Sequence, residues 1–422
     1  MLAITSARLI VDATEQPIDH GVVVVNNGLI VETGPLDLLS KYPECEVIDC
    51  SNETVMPALV DSHSHPGFCG ANRFGKDFGS IVVQSSLPPV LRNVRMFLNC
   101  LSDMRSGVTT IRSLGTIDDS DIELRDEIAV GNLFGPRLVA SGIPIRPSHG
   151  TAAFLGKPAD GPEEVRKAVR ERVSKSADII KIFATNIQGG SGDVAYRKGD
   201  LTDVPAYSFE ELRIICEEAH EAGLTVAAHA IGGKALRWAM EAGVDSVEHV
   251  NLIEEQDIDI FLKTGCVLSD PNLYLFFDEH YGFRARSSWR ELPEWWQEKV
   301  HVAENRTRKY QREAYLAGVP FALALDSGHG MIWREAVCMV NELGASTQDT
   351  LKALTTTGAR LCGFHNLGTL VAGNIADIIS VEGNPLEDIG CLANVGLVLK
   401  DGKRYDRMLD LMLEASAEFE SL

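Results

Sequence analysis

The chain has 422 residues, of which 45% are hydrophobic and 23% are charged, and its formal net charge is -21. A chain of this length and composition folds into a globular protein with room for one main domain and a smaller one. The acidic excess argues against nucleic acid and anionic membranes as partners, because both are bound through clustered Lys and Arg. A small-molecule substrate stays open, since it meets the local field of its site and not the net charge.

The cysteines and the first residues favour a soluble, cytoplasmic protein. The nine cysteines are odd in number and include no CxxC pair, so we expect reduced, mostly buried thiols and no disulfide framework. The stretch MLAITSARLIVDATEQ lacks the basic and apolar segments of a signal peptide. No apolar run reaches the roughly 18 residues that a membrane span requires.

Both ends of the chain carry short β-strand patterns. The pattern predicts strands over residues 2–10, 21–26, 29–33, 46–49, 376–381 and 395–400. Asn26-Asn27-Gly28 is a hairpin signal between two of them. The two ends are open to two arrangements, which are two unrelated β flaps or one small β-sandwich domain. We expect the β-sandwich, with everything between the ends inserted into it.

Between the two ends, apolar or β-branched runs alternate with helical patterns. Helices are predicted over residues 162–176, 208–222, 232–242, 254–264 and 294–317. The strand-like runs end at or near His63, Ser113, Gly142, Ala184, His229, His249, Asp270 and Asp326. Eight strands that alternate with helices predict an α/β fold, most economically a closed (β/α)8 TIM barrel.

These patterns predict that the chain divides into three parts. The (β/α)8 barrel is expected over residues 57–368, and the small β-sandwich domain over residues 1–56 and 369–404. Residues 405–422 are expected to form a C-terminal surface helix.

Polar side chains stand in or near the ends of five of the predicted barrel strands. They are His63, His65, Lys181, His229, His249 and Asp326. The carboxyl ends of barrel strands meet at one mouth, so these side chains are expected to lie together. Four imidazoles and a carboxylate suit Zn²⁺ or a similar divalent ion. Taken singly, each histidine is also open to a structural role, and Asp326 to a role as a helix N-cap.

Lys181 is the residue of this set that is hardest to explain structurally. It lies inside the apolar run Asp178-Ile-Ile-Lys-Ile-Phe183. A buried, unpaired ammonium group is costly, and burial lowers its pKa towards that of a neutral amine. The alternative is that Lys181 pairs with a nearby carboxylate.

Several motifs resemble those of the amidohydrolase superfamily of metal-dependent hydrolases, over nearly the whole chain. They are Met56-Pro-Ala-Leu-Val-Asp-Ser-His-Ser-His65, Lys181, His229, Glu248-His249, Ala324-Leu-Asp-Ser-Gly328, Ala353-Leu-Thr-Thr-Thr-Gly-Ala-Arg-Leu-Cys-Gly363 and Gly373-Asn-Ile-Ala-Asp377. In that family a lysine of the fourth barrel strand reacts with CO₂ to form a carbamate that bridges two metal ions.

The resemblance therefore implies a set of ligands for two divalent metal ions, with zinc as the expected metal. It assigns His63, His65 and Asp326 to one ion and His229 and His249 to the other. Carbamylated Lys181 is the implied bridge between the two ions.

Within the family, the chain is most similar to an imidazolonepropionase-related and prolidase-like branch. This likeness rests on Gly107-Val-Thr-Thr110, Lys181-Ile-Phe-Ala184 and residues 217–229. Members of the branch hydrolyse Xaa-Pro or other dipeptides, N-acyl amino acids, or aromatic amides such as ochratoxin, and many are homo-oligomers. The chain departs from many relatives at Ile231 and Val250, where they have His and Gly. Ile231-Gly232 also replaces the His-Ala-x-Glu pattern of the deaminases.

A bridging hydroxide generated between two metal ions is the expected nucleophile. Asp326 is expected to take its proton and pass it to the leaving amine. His149 is a candidate donor to the oxyanion, or else a loop histidine without a role. Arg146, Tyr274 and Arg284 are candidates to hold a substrate carboxylate.

The aromatic-rich residues 271–293 are open to three roles, which are a wall of the substrate pocket, a lid that packs on the barrel, and a subunit contact.

The sequence thus predicts a binuclear metal-dependent amidase or dipeptidase that acts on a small molecule. An alternative is a cyclic-amide or carbamate hydrolase with the same metal centre. A second alternative is a non-catalytic, amidohydrolase-like assembly protein, and the complete set of six ligands argues against it.

Overall fold

The computed structural model describes residues 1–68, 86–185, 201–285, 287–326 and 328–419. Strands lie at both ends of the chain, and strands alternate with helices between them. The strands are β1 (Leu2–Leu9), β2 (Ile18–Asp19), β3 (Gly21–Asn26), β4 (Leu29–Pro35), β5 (Glu46–Pro57), β6 (Leu59–Ser64), β7 (Val108–Ser113), β8 (Arg137–Ala140), β9 (Ile145–Arg146), β10 (Lys157–Pro158), β11 (Ile179–Phe183), β12 (Thr225–Gly232), β13 (Ser246–Leu252), β14 (Val267–Ser269), β15 (Phe321–Ala322), β16 (Ile378–Val381), β17 (Val395–Lys400) and β18 (Lys403–Arg404).

Most of the α-helices connect consecutive parallel strands or pack around them. They are α1 (Pro89–Arg105), α2 (Ser120–Ala129), α3 (Gly161–Ser174), α4 (Phe209–Glu221), α5 (Gly233–Ala242), α6 (Glu255–Thr264), α7 (Leu273–Phe277), α8 (Glu294–Arg306), α9 (Arg312–Ala317), α10 (Trp333–Leu343), α11 (Thr347–Lys352), α12 (Gly358–Leu361) and α13 (Asp406–Phe419).

Strands from the two ends of the chain lie in one mixed sheet. Its order is β18-β17-β16-β5-β1-β3-β4, and β2 pairs with β1. The central strand β5 runs parallel to β1 and antiparallel to β16, with Met56 opposite Ile379. The expected pairing of the two ends is therefore present, whereas the sandwich arrangement stays a prediction.

The middle of the chain forms two parallel sheets, which confirms the α/β class. One sheet has the order β6-β7-β8 and the other β10-β9-β11-β12-β13-β14-β15. Backbone hydrogen bonds join both edge strands of the smaller sheet, β6 and β8, to the larger sheet or its continuation. The Asp178 N–H donates to the Ala140 carbonyl at 2.8 Å, and the Asp326 N–H donates to the His63 carbonyl at 2.9 Å.

The parallel strands are buried on both faces, which explains their nearly continuous apolar sequence. Every residue of β6 and β11 is buried, including His63 and Lys181. A strand covered by helices on one side and by other strands on the other exposes no face for alternating polar residues. The polar side chains within these runs are therefore exceptions that need partners inside the protein.

The helix boundaries follow local capping signals where these exist. Ser208 caps α4 and forms a capping box with Glu211, as the spacing predicts. The helical stretch expected over residues 294–317 is present, but a π-helical turn at Thr307–Gln311 divides it into α8 and α9. Such turns are rare and occur often at functional sites.

Among the described residues, no helix is long and apolar enough to cross a membrane. The eight described cysteines are free, and seven of them are buried, which agrees with the expected reduced thiols.

Arg137 ties the parallel strand β8 to the sheet formed by the two chain ends. Its guanidinium group donates to Asp377 at 2.7 Å and to Asp401 at 2.6 Å. The Asp377 side chain is only 1% exposed. A carboxylate at this depth depends on its cationic partner, because an unpaired buried charge is costly.

We predict that Arg137→Met lowers the free energy of unfolding by about 3 kcal/mol, because it leaves the Asp377 carboxylate buried without its cation. Urea unfolding of the metal-free protein measures this change. Arg213→Met is the matched control, since its ion pair with Glu217 is exposed on both sides and is expected to contribute less than about 1 kcal/mol. Equal losses in the two variants would contradict the prediction.

Candidate metal centre

The six side chains singled out by the sequence lie together at the carboxyl ends of the parallel strands. Four of them lie within strands, namely His63 in β6, Lys181 in β11, His229 in β12 and His249 in β13. His65 and Asp326 lie just beyond the ends of β6 and β15. Lys181 and the four histidines are buried, and Asp326 is partly exposed.

Short contacts connect the members of this cluster. His63 Nε2 lies 3.3 Å from Lys181 Nζ and 3.4 Å from His65 Nε2. His65 Nε2 lies 3.6 Å from Asp326 Oδ1. The His249 ring centroid is 5.0 Å from that of His63 and 4.9 Å from that of His229. The cluster therefore joins all six predicted residues.

Two groups of side chains at this site, which share His63, are each close enough together to bind a metal ion. His63, His65 and Asp326 form one group, and His63, His249 and Asp270 form the other. In each group the ligand atoms lie within 4.8 Å of one another. Imidazole and carboxylate donors at this spacing suit a divalent ion of the zinc type.

The ionisation of the cluster also suits a metal site. Burial lowers the pKa of His63 and His229 well below the usual value and that of His65 to about 3, so the imidazoles are neutral ligands. Burial also lowers the pKa of Lys181 to about 8. A substantial fraction of Lys181 is therefore a neutral amine near pH 8, which is the nucleophilic form.

Two buried carboxylates lie beneath the histidines and face their Nδ1 atoms. Asp270 Oδ2 lies 3.0 Å from His63 Nδ1 and 3.1 Å from His249 Nδ1. Glu248 Oε2 lies 3.0 Å from His63 Nδ1. His63 Nδ1, Glu248 Oε2 and Asp270 Oδ2 lie at hydrogen-bonding distance, but their alignment does not meet the angles of a hydrogen bond. A carboxylate at Nδ1 fixes the tautomer of a histidine so that Nε2 offers its lone pair to a metal ion, and this applies to His63. The Nδ1 atom of His249 also lies 2.7 Å from the amide nitrogen of Asn272.

Arg112 supports this layer from the interior of the parallel strands. It is fully buried and donates to Glu248 Oε1 at 2.8 Å and to Ser246 Oγ at 3.1 Å. Burial by itself would raise the pKa of Glu248, but the charge of Arg112 holds that pKa well below its usual range. Burial raises the pKa of Asp270 well above the usual value. The pKa values of the two carboxyl groups are thus shifted in opposite directions, and only Glu248 pairs directly with Arg112.

The sequence reasoning missed Asp270, Glu248 and Arg112 as parts of the site. Arg112 interrupts the apolar run of β7, in the same way that Lys181 interrupts β11. This interruption was the available signal for Arg112. Glu248 and Asp270 carried a weaker signal, since each lies in or at the end of a predicted strand.

The backbone around the site adopts strained conformations. His249, Val250, Asp270, Asn272 and Asp326 have positive φ angles of 75°, 56°, 48°, 56° and 56°. Such angles are uncommon outside glycine and cluster at functional sites, where the surrounding structure holds them.

The π-helical turn supplies part of this support. Gln311 Nε2 donates to the carbonyl of His249 at 2.8 Å, and Thr307 Oγ1 donates to that of Asn251 at 3.5 Å. The wider turn of the π-helix brings both side chains to the end of β13, so the interruption of the helix serves the site.

The other predicted site residues lie outside the cluster, and their roles stay predictions. His149 is exposed in the turn that follows β9. Arg146 is buried and donates to backbone carbonyls of residues 147, 148, 150 and 156. The Tyr274 hydroxyl donates to the carbonyl of Leu325 at 3.1 Å, next to Asp326. Arg284 forms an ion pair with Glu304.

Aromatic side chains lie close to two histidines of the cluster. Phe183 lies 5.4 Å from the His229 ring, and Phe68 lies 6.3 Å from the His65 ring. Residues of the 271–293 segment such as Phe276 pack with Trp296 and with Ile231, which follows His229 in β12, in one apolar group. This segment therefore packs on the strand ends and on α8, and its role towards a substrate stays a prediction.

We predict that Asp270→Asn weakens Zn²⁺ binding by about 10- to 100-fold, because it replaces the carboxyl group that faces the Nδ1 atoms of His63 and His249. Competition with a chromophoric chelator measures the dissociation constant. Asp278→Asn is the matched control, since Asp278 follows the same strand but pairs with Arg334 at 2.8 Å. Unchanged affinity in Asp270→Asn would show that this carboxylate does not orient the histidines.

The chain as a whole is similar to several known proteins. A family model described as "Amidohydrolase family" matches residues 54–405. The chain is 27% identical to ochratoxinase of Aspergillus niger over 419 residues, which cover 92% of this chain and 82% of that protein. It is 25% identical to imidazolonepropionase of Methylobacterium nodulans over 404 residues, covering 88% and 91% of the two chains. A solved Xaa-Pro dipeptidase with methionine in its active site has a TM-score of 0.82 and 28% identity, and the match covers 96% of this chain and 99% of that one.

Proposed function

Because the chain belongs to the amidohydrolase family and is a hydrolase acting on carbon–nitrogen bonds, we propose that it is a binuclear metal-dependent enzyme cleaving an amide bond of a small substrate. The observation that carries this proposal is the cluster of His63, His65, Lys181, His229, His249 and Asp326 at the strand ends.

In this proposal, His63, His65 and Asp326 hold one ion, and His229 and His249 hold the other. Carbamylated Lys181 is the shared ligand. Its amine is buried and 3.3 Å from His63 Nε2, and its lowered pKa favours the neutral form that reacts with CO₂. When bound, two zinc-like ions would polarise the scissile carbonyl and lower the pKa of water to near neutrality.

Asp326 is the residue best suited to move the proton. Its side chain is 24% exposed, more than that of its neighbour His65, so it lies between the buried cluster and the solvent. Burial raises the pKa of this carboxyl group, which helps it to take a proton from the attacking water and pass it to the leaving amine. His149 keeps its proposed role as an oxyanion donor, although it is exposed in this structure.

The surroundings of the cluster favour a substrate with an apolar group. Phe183 and Phe68 beside the histidines, and the apolar group that contains Phe276 and Ile231, offer apolar contact surfaces. A dipeptide of the Xaa-Pro type, an N-acyl amino acid and an ochratoxin-like aromatic amide all fit this description. The similarity to ochratoxinase and to the Xaa-Pro dipeptidase supports the same substrates.

These substrates share a free carboxylate, and Arg146 is the favoured group to bind it. Ile145 lies opposite Ile182, so strand alternation puts Arg146 on the same face as Lys181. Within the described residues, Arg146 donates only to backbone carbonyls and has no carboxylate partner. Arg284 is already neutralised by Glu304, and Tyr274 bonds to the backbone beside Asp326.

An alternative is the hydrolysis of a cyclic amide or a carbamate by the same centre, which the similarity to imidazolonepropionase favours for cyclic amides. A non-catalytic assembly protein would have no need of the complete ligand set.

We further propose the architecture that the sequence predicts. The backbone hydrogen bonds between the two parallel sheets support a closed (β/α)8 barrel over residues 57–368. Residues 1–56 and 369–404 would then form the β-sandwich domain, and residues 405–422 the C-terminal helix. We propose that the protein is a cytoplasmic homo-oligomer that binds a small-molecule substrate and neither nucleic acid nor membranes.

We predict that protein purified without chelator carries about two zinc ions per chain, as a two-metal site requires, and that Lys181→Ala loses metal and activity together. Metal analysis and assays on Xaa-Pro dipeptides, N-acyl amino acids and aromatic amides measure both. A short carboxylic acid is expected to restore part of the activity by replacing the carbamate. Lys157→Ala, which removes an exposed ion pair with Glu171, is the control.

Two outcomes would contradict this prediction. One metal ion per chain that Lys181→Ala does not affect would indicate a mononuclear centre. Neither metal nor turnover in the wild-type protein would favour the assembly protein.

We predict that Arg146→Leu raises KM by about 10- to 100-fold for an N-acyl amino acid but not for the corresponding carboxamide, because a charge-assisted hydrogen bond is lost. Arg284→Leu is the matched control and is expected to leave both KM values nearly unchanged. Equal effects of Arg146→Leu on the two substrates would assign Arg146 to the support of its own loop.

A further inference from the structure

His329 is a fully buried histidine that lies outside the proposed ligand set. Only 1% of the residue is exposed. Its Nδ1 lies 2.8 Å from Asp103 Oδ2 on α1, and its Nε2 lies 2.8 Å from the carbonyl oxygen of Phe68. Both ring nitrogens therefore face oxygen atoms.

These two contacts determine the protonation of the ring. The Phe68 carbonyl has no proton to give, so Nε2 must donate. Asp103 Oδ1 accepts the N–H of Gly330 at 2.7 Å, and Asp103 Oδ2 lies 2.8 Å from Nδ1, a position from which a ring N–H can donate to it. A histidine that donates from both nitrogens is an imidazolium ion.

His329 connects the two loops that follow His65 and Asp326. Phe68 closes the turn after His65, because its N–H donates to the His65 carbonyl at 2.9 Å. His329 and Gly330 belong to the loop that leaves Asp326. Within that loop, Gly330 has a φ of +76°, and a Cβ there would lie 2.5 Å from Ser102 Oγ, so the chain approaches α1 closely.

Helix α1 supports both loops from one face. Asn99 Nδ2 donates to the carbonyls of Pro66 at 2.9 Å and Phe68 at 3.4 Å. Asp103 lies one helical turn further along and binds His329 and Gly330. Residues 66–68 after β6 and residues 329–330 after β15 are thus fixed to the same helix.

We propose that His329 is a positioning residue whose charged ring, held by Asp103, sets the separation of His65 from Asp326. The part of this inference that concerns metal affinity rests on the proposed function. The inference concerns a side chain that touches neither metal nor substrate and acts through the two loops.

The electrostatic surroundings agree with a charged ring. Burial would lower the pKa of His329, but Asp103, the Phe68 carbonyl and Asp61 of β6 raise it above the usual value. A histidine with a raised pKa stabilises the fold fully below its unfolded pKa of about 6.5, and this contribution is lost as the pH rises through the folded pKa. The stability difference between wild type and His329→Gln is therefore expected to shrink at alkaline pH.

The first test is ¹⁵N NMR of the metal-free, histidine-labelled protein at pH 7.5. The chain has eleven histidines, and the signals missing in His329→Gln identify those of His329. We expect both of its ring nitrogens to carry protons at this pH, which is about one unit above the usual pKa of a histidine. Asp103→Asn keeps the shape of the pair but removes its charge, and we expect it to convert the ring to a neutral tautomer. A neutral His329 in the wild-type protein would overturn the proposal.

The second test compares Zn²⁺ affinity by chelator competition. We expect His329→Gln and Asp103→Asn to weaken binding by about 10- to 100-fold, as is typical for groups that orient ligands. His220→Gln is the matched control, since His220 also pairs with an aspartate, Asp245 at 3.0 Å, but is exposed. Thermal unfolding of each variant separates weaker binding from loss of the fold.

The two tests separate this inference from the proposed function. Wild-type affinity in folded His329→Gln would overturn the positioning role. A wild-type protein without metal would overturn the proposed function, while the NMR result would still support or overturn the charged pair. A neutral ring in a protein that binds two zinc ions would overturn the positioning inference alone.

Discussion

The central constraint on this structure is that ionisable groups must be buried without unbalanced charge. Four imidazoles and an amine lie at the carboxyl ends of parallel strands, in a region where an isolated charge is costly. Burial keeps His63, His65 and His229 neutral by lowering their pKa values. Beneath them, Arg112 neutralises Glu248 in the interior of the strands. The site is therefore nearly balanced before any cation arrives, and a divalent ion would find neutral donors and a nearby carboxylate.

The same constraint explains why rigid elements hold the site. Several residues around it have left-handed backbone conformations, which persist only when their neighbours fix them. Gln311 of the π-helical turn binds the carbonyl of His249. Helix α1 holds residues 66–68 and residues 329–330 through contacts of Asn99, Asp103 and His329. The ligand positions are thus fixed by contacts that approach from outside the cluster.

The chemistry and the specificity of the site have different structural origins. The histidines, Lys181 and Asp326 belong to the motifs by which the chain resembles its family, and they define a hydrolase. The apolar surfaces beside them include Ile231, at which the sequence departs from many relatives. Arg146, buried without a carboxylate partner among the described residues, adds a cation to the same face as Lys181. Substrate choice is therefore expected to depend on groups that the catalytic motif does not include.

The alternation of strands and helices and the six side chains of the cluster could be predicted from the sequence alone. These signals are local, since they depend on the period of apolar residues and on polar residues at strand ends. The capping box at Ser208 and Glu211 is local in the same sense. The shared sheet of the two chain ends also followed, because strand patterns at both ends needed partners.

The side chains that support the cluster could be identified only from the tertiary structure. Arg112 meets Glu248 across 136 residues, and His329 meets Asp103 across 226. The π-helical turn depends equally on contacts between Gln311 and the end of β13. No periodicity reports such contacts, because they arise when parallel strands from distant parts of the chain converge and bring polar side chains into one buried space.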